Sequence, residues 1–211
     1  MTSEGLEAKA AGDSASIRSY YDDWASGYET DVASWGYEAP AVAVEKLSSN
    51  AQSHAQIIDV GCGTGLVGAG LAAAGFHDVV GVDASSASLD ICAKTGNYRA
   101  LTEVDLTVLP TSLPESHFGG LICVGVMSYL PDVEATCREF ARIVEPDAPI
   151  VVTQRTDLFE SRNTQAAFDR LADDGTWSIV EVTQPMPYLP GHPDFQEIDV
   201  RYGVFRSNLS G

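Results

Sequence analysis

Two kinds of apolar pattern alternate along the chain. Short continuous apolar runs, typical of strands buried on both faces, are separated by longer stretches in which apolar residues recur at helical spacing. Seven segments are predicted to be strands: IIDV (57–60), DVVGVD (78–83), YRALTEVD (98–105), GGLICVGV (119–126), APIVVTQR (148–155), WSIVEVTQ (177–184) and EIDVRYGVFR (197–206). Helices are predicted at 40–47, 66–74, 85–96, 132–144 and 158–171. The alternation predicts an α/β fold with a doubly wound, mostly parallel sheet covered by helices on both sides.

The last two extended segments have no helix between them. A loop rich in proline and glycine, PMPYLPGHPDF (185–195), joins them. Consecutive strands that lack a crossover connection pair antiparallel, so the sheet is expected to finish with a hairpin.

The first 48 residues differ in pattern from the rest. Residues 1–15 are small, polar and unpatterned, and are expected to form a disordered tail. Tyr20, Trp24 and Tyr28 recur every four residues, which places them on one face of a helix. Aromatic stripes of this kind belong to packed cores more often than to binding sites. We assign 16–48 to an N-terminal helical segment and 49–211 to the core of a single domain.

Composition and charge narrow the functional classes. The chain has 211 residues, which suits one domain, and a net charge of −18, which would repel a phosphate backbone. Either solubility or a salt-rich setting would account for this charge. The four cysteines form no CxxC pair and no zinc-site spacing, and no apolar run is long enough to span a membrane. These features predict a cytoplasmic protein with reduced thiols and no metal, nucleic acid or membrane as partner.

The stretch IIDVGCGTGLVG (57–68) carries four glycines directly after a buried strand. Glycines at this place let the backbone come close to a ligand. Gly63 to Gly68 fit the GxGxxG pattern of a dinucleotide site, and Asp83 follows at the distance of a ribose-binding acid.

Asp59 favours a different ligand. It lies two residues before Gly61, where its charge would face the pyrophosphate of a dinucleotide. S-adenosylmethionine has no phosphate, and its ammonium could be held by this carboxylate directly or through water. Counted from Gly61, the loop fits GxGxG with the acid in place, so S-adenosylmethionine is the favoured cofactor.

The motif DVGCGTG, together with Asp83, Asp105 and the final hairpin, resembles the class I S-adenosylmethionine-dependent methyltransferases. The segments before the glycine loop and after the fifth strand are similar to the Williams–Beuren syndrome critical-region methyltransferase-like proteins. The likeness covers about residues 17–206. It implies a Rossmann-like, seven-stranded sheet whose last strand is antiparallel, with residues 16–48 as a helical lid over the cofactor.

The resemblance also implies roles for individual residues. Asp83 would bind the ribose, Asp105 and Leu106 the adenine, and Val124 would border the sulfonium. The expected cofactor-binding set is Asp59, Gly61, Gly63, Gly65, Asp83, Ala84, Asp105, Leu106 and Val124, with Trp24 and Tyr28 from the lid.

The expected reaction is methyl transfer to an O, N, S or C nucleophile of a small-molecule acceptor, which leaves S-adenosylhomocysteine. No general base is evident, and the candidates are His192, in the loop after the sixth strand, and Arg155, just past the fifth. An NAD(P)-dependent oxidoreductase stays open as an alternative, although no Tyr-x-x-x-Lys pair lies nearby. A non-catalytic S-adenosylmethionine-binding protein stays open as well.

Overall fold

The computed structural model of the chain describes residues 27–209. Helices and strands alternate along them, and one short 3₁₀ helix, Met127–Tyr129, follows the fourth strand. The helices are α1 Tyr28–Ser34, α2 Ala39–Ser48, α3 Leu66–Ala73, α4 Ser86–Thr95, α5 Val133–Ile143, α6 Thr156–Ser161 and α7 Thr164–Asp173. The strands are β1 Ile57–Val60, β2 Val79–Asp83, β3 Ala100–Glu103, β4 Gly120–Cys123, β5 Pro149–Arg155, β6 Trp177–Val182, β7 Met186–Pro187 and β8 Asp199–Ser207.

The strands form one sheet in the order β3-β2-β1-β4-β5-β8-β6. Strands β1 to β5 pair parallel, and β8 lies antiparallel between β5 and β6. The predicted Rossmann-like sheet with an antiparallel last strand is therefore confirmed. The structure adds the two-residue β7, which pairs with the beginning of β8 beyond the end of β6.

The continuous apolar strands are buried on both faces, as their pattern indicates. Successive residues of β1 enter opposite cores: Ile57 packs with α2 and α3, whereas Ile58 packs with residues of α5 and α7. Because side chains alternate along a strand, an uninterrupted apolar run can fill two cores at once.

The segment 158–171, predicted as one helix, is two. Helices α6 and α7 are separated at Arg162 and Asn163, and Asn163 adopts a left-handed backbone conformation with φ of 50°. Asparagine tolerates this conformation better than most residues. The Arg162 guanidinium donates to the backbone carbonyls of Met127, Ser128 and Leu130, which fixes the break against the 3₁₀ helix.

The N-terminal assignments are partly outside the described residues. Tyr20, Trp24 and the tail lie there, and so does the side chain of Tyr28. Helix α2 buries Ala43 and Leu47 completely in the same core as Ile57. Helix α2 therefore packs as part of the same core as β1, although the assigned boundary between residues 48 and 49 separates the two elements. Over the range 27–209, no helix combines the length and the apolar character needed to cross a membrane.

Candidate functional site

A cavity opens at the carboxyl edge of the parallel strands, where the loops after β1, β2, β3 and β4 meet. In open α/β sheets this edge, beside the point where strand order reverses, is the usual ligand site. Two segments distant in sequence complete its wall: residues 32–40, around the end of α1, and the loop after β7. The lining residues are Gly61, Cys62, Gly63, Thr64, Leu66, Val67, Asp83, Ala84, Ser85, Ser88, Asp105, Leu106, Thr107, Val124, Gly125, Val126, Tyr129, Leu130, Val32, Tyr37, Pro40, Tyr188 and Leu189.

The glycine loop forms the floor of the cavity. Gly61 has φ of 75°, and a Cβ there would collide with the side chain of Val126 from the loop after β4. Glycine is therefore required both by the backbone conformation and by the close approach of two loops. Gly63 also lines the cavity, whereas Gly65 does not and instead forms the N-cap of α3.

Asp83 is held in a defined orientation at the tip of β2. One carboxylate oxygen accepts a hydrogen bond from the Gly63 N–H at 2.9 Å, and the other accepts one from the Ser85 N–H at 2.8 Å. The carboxylate thus joins the glycine loop to the turn before α4. It lines the cavity together with Ala84.

Asp105 lies past the end of β3, because that strand ends at Glu103 and not at residue 105 as predicted. Its carboxylate accepts hydrogen bonds from the N–H and the hydroxyl of Thr107, which form a tight turn. Leu106 is buried beside it, and Val124 borders the cavity from the end of β4. The structure brings these predicted residues together around one space.

Asp59 lies elsewhere. It does not line the cavity, its side chain is completely buried, and the Tyr98 hydroxyl donates to Oδ2 at 2.6 Å. Asp59 was expected to hold the ammonium directly or through water, and the direct contact is not available to a side chain that is buried outside the cavity lining. Burial raises the pKa of Asp59 to about 7, with a further rise from the nearby Asp83 charge, although the hydrogen bond from Tyr98 opposes this. The second oxygen, Oδ1, is buried and has no hydrogen-bond partner among residues 27–209.

Tyr98 is a site residue that the sequence did not reveal. Its hydroxyl accepts a hydrogen bond from the Gly68 N–H at 2.9 Å, and a Cβ on Gly68 would collide with its ring. Gly68, the last glycine of the GxGxxG pattern, thus makes room for a phenol. One feature of the sequence was consistent with a large side chain packed here: a glycine, Gly81, lies in the middle of β2, where a Cβ would come within 2.9 Å of the Tyr98 ring.

The two candidates for a base are not brought to the cavity. His192 is buried, its ring centroid lies 4.4 Å from that of Trp35, and its Nδ1 accepts a hydrogen bond from the Asp194 N–H. Burial lowers its pKa. Arg155 forms an ion pair with Asp157 at 2.6 Å and stacks 4.9 Å from the centroid of the Phe195 ring. Both side chains hold the loop after β7 in place.

Three tyrosines that the sequence did not single out line the cavity near the end of β4. They are Tyr37, Tyr129 and Tyr188, from three separate segments. The Tyr37 and Tyr188 rings meet edge to face at 5.6 Å. The Tyr37 hydroxyl lies over Gly125, 3.0 Å from the position that a Cβ there would occupy. The cavity therefore has a carboxylate-lined end at β2 and β3 and an aromatic end at β4.

The residues fit S-adenosylmethionine better than a dinucleotide. The carboxylates of Asp83 and Asp105 can accept hydrogen bonds from hydroxyl and amino groups of a ligand. The Gly63 N–H is already bonded to Asp83, so it is not directed at a phosphate. Thr64 lines the wall of the cavity, and its hydroxyl is buried without a hydrogen-bond partner among the described residues.

Comparison with known proteins agrees with the fold. A family model described as a methyltransferase domain matches residues 58–152, which include the glycine loop, Asp83 and Asp105. Residues 58–152 are therefore a methyltransferase domain of the class I S-adenosylmethionine-dependent type, whose cofactor is S-adenosylmethionine.

Particular relatives are similar over different lengths. Methyltransferase-like protein 27 of Homo sapiens is 35% identical over 166 residues, 75% of this chain and 66% of that protein. A ubiquinone biosynthesis O-methyltransferase of Alkalilimnicola ehrlichii is 29% identical over 103 residues, 46% of this chain and 40% of that protein. The matched region thus spans less than two thirds of either relative.

Among solved structures, a TehB-like S-adenosylmethionine-dependent methyltransferase from Corynebacterium glutamicum superimposes with a TM-score of 0.63 at 22% identity. The match covers 90% of this chain and 98% of that one. At this identity the likeness concerns the fold.

Proposed function

We propose that the protein binds S-adenosylmethionine in the cavity and transfers its methyl group to a small-molecule acceptor. One observation carries the proposal: the Asp83 carboxylate, at the tip of β2, is clamped by two backbone N–H groups while it lines the cavity. A carboxylate fixed in this way at the cavity wall can accept hydrogen bonds from the two hydroxyls of a ribose.

In this proposal different parts of the cavity bind different parts of the cofactor. Asp83 and Ala84 bind the ribose, Asp105 and Leu106 hold the adenine, and the glycine loop with Thr64 accommodates the amino-acid end. S-adenosylmethionine supplies a methyl group already made electrophilic by a sulfonium. The protein's contribution is to exclude water and align the acceptor, and alignment of this kind can supply about 7–11 kcal/mol.

The acceptor would lie against the tyrosines at the end of β4. Tyr37, Tyr129 and Tyr188 present apolar rings with hydroxyl tips, which suit a compact ligand with both apolar and polar parts. The similarity to an enzyme named for ubiquinone biosynthesis supports a small-molecule acceptor. The net charge of −18 supports the view that nucleic acid is not the acceptor.

The proposed compartment is the cytoplasm. All four cysteines are buried with free thiols, as expected of a chain kept in a reducing environment. Burial raises the pKa of Cys123 and Cys137, which makes their thiols unreactive.

Calorimetric titration with S-adenosylhomocysteine and, separately, with NAD tests the proposal. We expect binding of the first and none of the second; the reverse result would identify a nicotinamide enzyme. An acceptor screen by mass spectrometry, with S-adenosylmethionine present, then looks for products heavier by one methylene. Ligand binding without any methylated product across the screen would favour a non-catalytic binding protein.

A further inference from the structure

Three tyrosine rings, called here the tyrosine box, form the end of the cavity beside β4. Tyr37 follows α1, Tyr129 ends the 3₁₀ helix and Tyr188 follows β7. The planes of Tyr37 and Tyr188 stand at 88° with their centroids 5.6 Å apart, so these two rings make adjoining walls. The Tyr37 hydroxyl lies over Gly125, the residue after Val124. The tyrosine box therefore adjoins the place where Val124 would border the sulfonium of a bound cofactor.

The charged side chains that line the cavity are all acidic over the described range 27–209. Asp83 and Asp105 line it, and no lysine, arginine or histidine of this range does. The whole chain carries a net charge of −18. A cleft lined by one sign of charge attracts ligands of the opposite sign, so this cavity favours a cation over an anion.

The arginines near the tyrosine box do not change this. Arg155 interacts electrostatically with Tyr129 and Tyr188, but it is buried outside the lining and forms an ion pair with Asp157 at 2.6 Å. Arg162 donates to the backbone carbonyls around the 3₁₀ helix and does not line the cavity either. Neither guanidinium therefore offers an anionic ligand a partner in the cavity wall.

Rings grouped around one space bind cations through their faces. A cation within about 6 Å of a tyrosine centroid is attracted by the ring quadrupole, and this contributes about 0.5–2 kcal/mol. Alkylated ammonium groups are recognised by aromatic boxes of this kind. A neutral group of the same shape fills the same space without this attraction, so the tyrosine box can distinguish the two by charge.

Transfer to nitrogen also suits a cavity that lacks a base. The described part of its lining contains no histidine, lysine or glutamate, and Asp83 is held by two backbone N–H groups. The lone pair of a neutral amine forms the new N–C bond, while the C–S bond breaks and its electron pair stays on sulfur. The positive charge thus passes from sulfur to nitrogen, and the methylammonium product gives its proton to water after release. An alcohol or a phenol would have to lose its proton to a base for the transfer.

We propose that the acceptor is a small amine, methylated on nitrogen, whose developing positive charge is stabilised by Tyr37, Tyr129 and Tyr188. The inference rests on the proposed function, and it adds the class of acceptor and the atom that receives the methyl group. The same three rings would then retain the amine and exclude carboxylates of similar shape.

The first test measures binding to the protein saturated with S-adenosylhomocysteine, by calorimetry at physiological salt. The probes are choline, its neutral isostere 3,3-dimethylbutan-1-ol and the anion 3,3-dimethylbutanoate. The trimethylammonium group of choline stands for the methylated nitrogen of the product. We expect choline to bind at least about tenfold more tightly than the alcohol, and the carboxylate to bind more weakly than both.

Single substitutions separate the rings from the general attraction of an acidic protein. Tyr37→Leu and Tyr188→Leu keep an apolar side chain and the net charge but remove a ring face. Each should reduce the preference for choline about three- to tenfold. Tyr37→Phe and Tyr188→Phe are the matched controls, because they keep the ring and should retain most of the preference. Thermal melting checks that each variant is folded, and saturation with S-adenosylhomocysteine removes any effect of a changed cofactor affinity.

The second test compares acceptors built on similar skeletons. The compounds 2-phenylethylamine, 4-ethylphenol and 3-phenylpropanoate offer an amine, a phenol and a carboxylate. With S-adenosylmethionine present, we expect a methylated product by mass spectrometry from the amine and none from the other two. Methylation of the phenol or the carboxylate, with the amine unchanged, would overturn the inference. If none of the three reacts, the choline comparison decides.

The remaining outcomes are distinct. Equal affinity for choline and the neutral alcohol, or a preference that both leucine variants keep, contradicts the amine assignment while cofactor binding stands. If the leucine variants weaken S-adenosylmethionine relative to S-adenosylhomocysteine and leave choline unaffected, the rings serve the sulfonium and the assignment is wrong. The wild-type comparison stands even if a variant does not fold. A wild-type protein that does not bind S-adenosylhomocysteine would remove the proposed function, and the inference with it.

Discussion

The aspartates at positions 59 and 83 look equivalent in the sequence, since each lies at or near the end of a strand beside the glycine loop. In the structure Asp83 lines the cavity and accepts two backbone hydrogen bonds, whereas Asp59 is fully buried against Tyr98. The position of Asp83 could be predicted because it follows from the strand end. The partner of Asp59 could not, because Tyr98 reaches it from 39 residues away.

Asp83→Ala should reduce the affinity for S-adenosylhomocysteine at least about tenfold, since a charge-assisted hydrogen bond is worth roughly 1.5–3 kcal/mol. Calorimetry measures the change, and melting shows whether the fold is kept. Asp78→Ala is the matched control. That aspartate, just before the other end of β2, pairs with Arg99 at the surface and should not affect binding. Equal losses in both variants would contradict the ribose assignment.

The raised pKa of Asp59 also affects the ligand-free protein. The folded state holds this proton up to about pH 7, while an unfolded aspartate loses it near pH 4. The stability that protonation contributes is therefore complete below pH 4 and is lost as the pH rises to 7. Between pH 5.5 and pH 8 the free energy of unfolding of the wild type should therefore fall by about 2 kcal/mol relative to that of Asp59→Asn, which has no proton to lose at this position. Urea unfolding of both proteins at the two pH values measures this change. If the wild type and Asp59→Asn differ in free energy of unfolding by the same amount at both pH values, Asp59 is ionised throughout.

At the scale of elements, the strands and the final hairpin were predictable because apolar runs and turn residues are local signals. The break between α6 and α7 was not, because the apolar spacing continues across it. It depends on Arg162, whose guanidinium bonds to three carbonyls around the 3₁₀ helix. That helix in turn contributes Tyr129 to the cavity.

Arg162→Ala should destabilise the fold by about 1–3 kcal/mol, because it leaves partly buried carbonyls without a donor. Chemical denaturation measures the loss. Arg170→Ala, in α7, is a suitable comparison, since its ion pair with Glu134 is largely exposed and should contribute less than about 1 kcal/mol. If the two variants lose the same free energy of unfolding, the hydrogen bonds of Arg162 do not stabilise the interruption between α6 and α7.

At the scale of the whole molecule, the cavity is completed by segments from opposite ends of the described chain. Val32, Tyr37 and Pro40 approach from one side, and Tyr188 and Leu189 from the other. The Gly191 N–H donates to the Trp35 carbonyl, which ties the two segments together. Contacts between segments this far apart in sequence produce no local pattern of apolar residues. The sequence therefore predicted the glycine loop and the strand ends better than the two segments that complete the wall of the cavity.

The lid assigned to residues 16–48 remains a prediction, and hydrogen exchange tests it. Amide exchange across residues 20–37 should slow when S-adenosylhomocysteine is added, because the ligand gives Val32 and Tyr37 an apolar partner. Tyr28→Ala should lose affinity with little change in the melting temperature of the ligand-free protein. Slow exchange without ligand, together with unfolding of Tyr28→Ala, would show that the segment is core.

The position of β8 has a consequence during synthesis. Its residues are made after those of the other strands in the described chain, yet it fills the place between β5 and β6. A chain still on the ribosome therefore leaves the edge of β5 unpaired until residue 199 and those after it have emerged. An unpaired strand edge can bind other chains, so nascent copies would need protection from one another during this interval. The sheet that carries the site can close only after β8 has emerged from the ribosome.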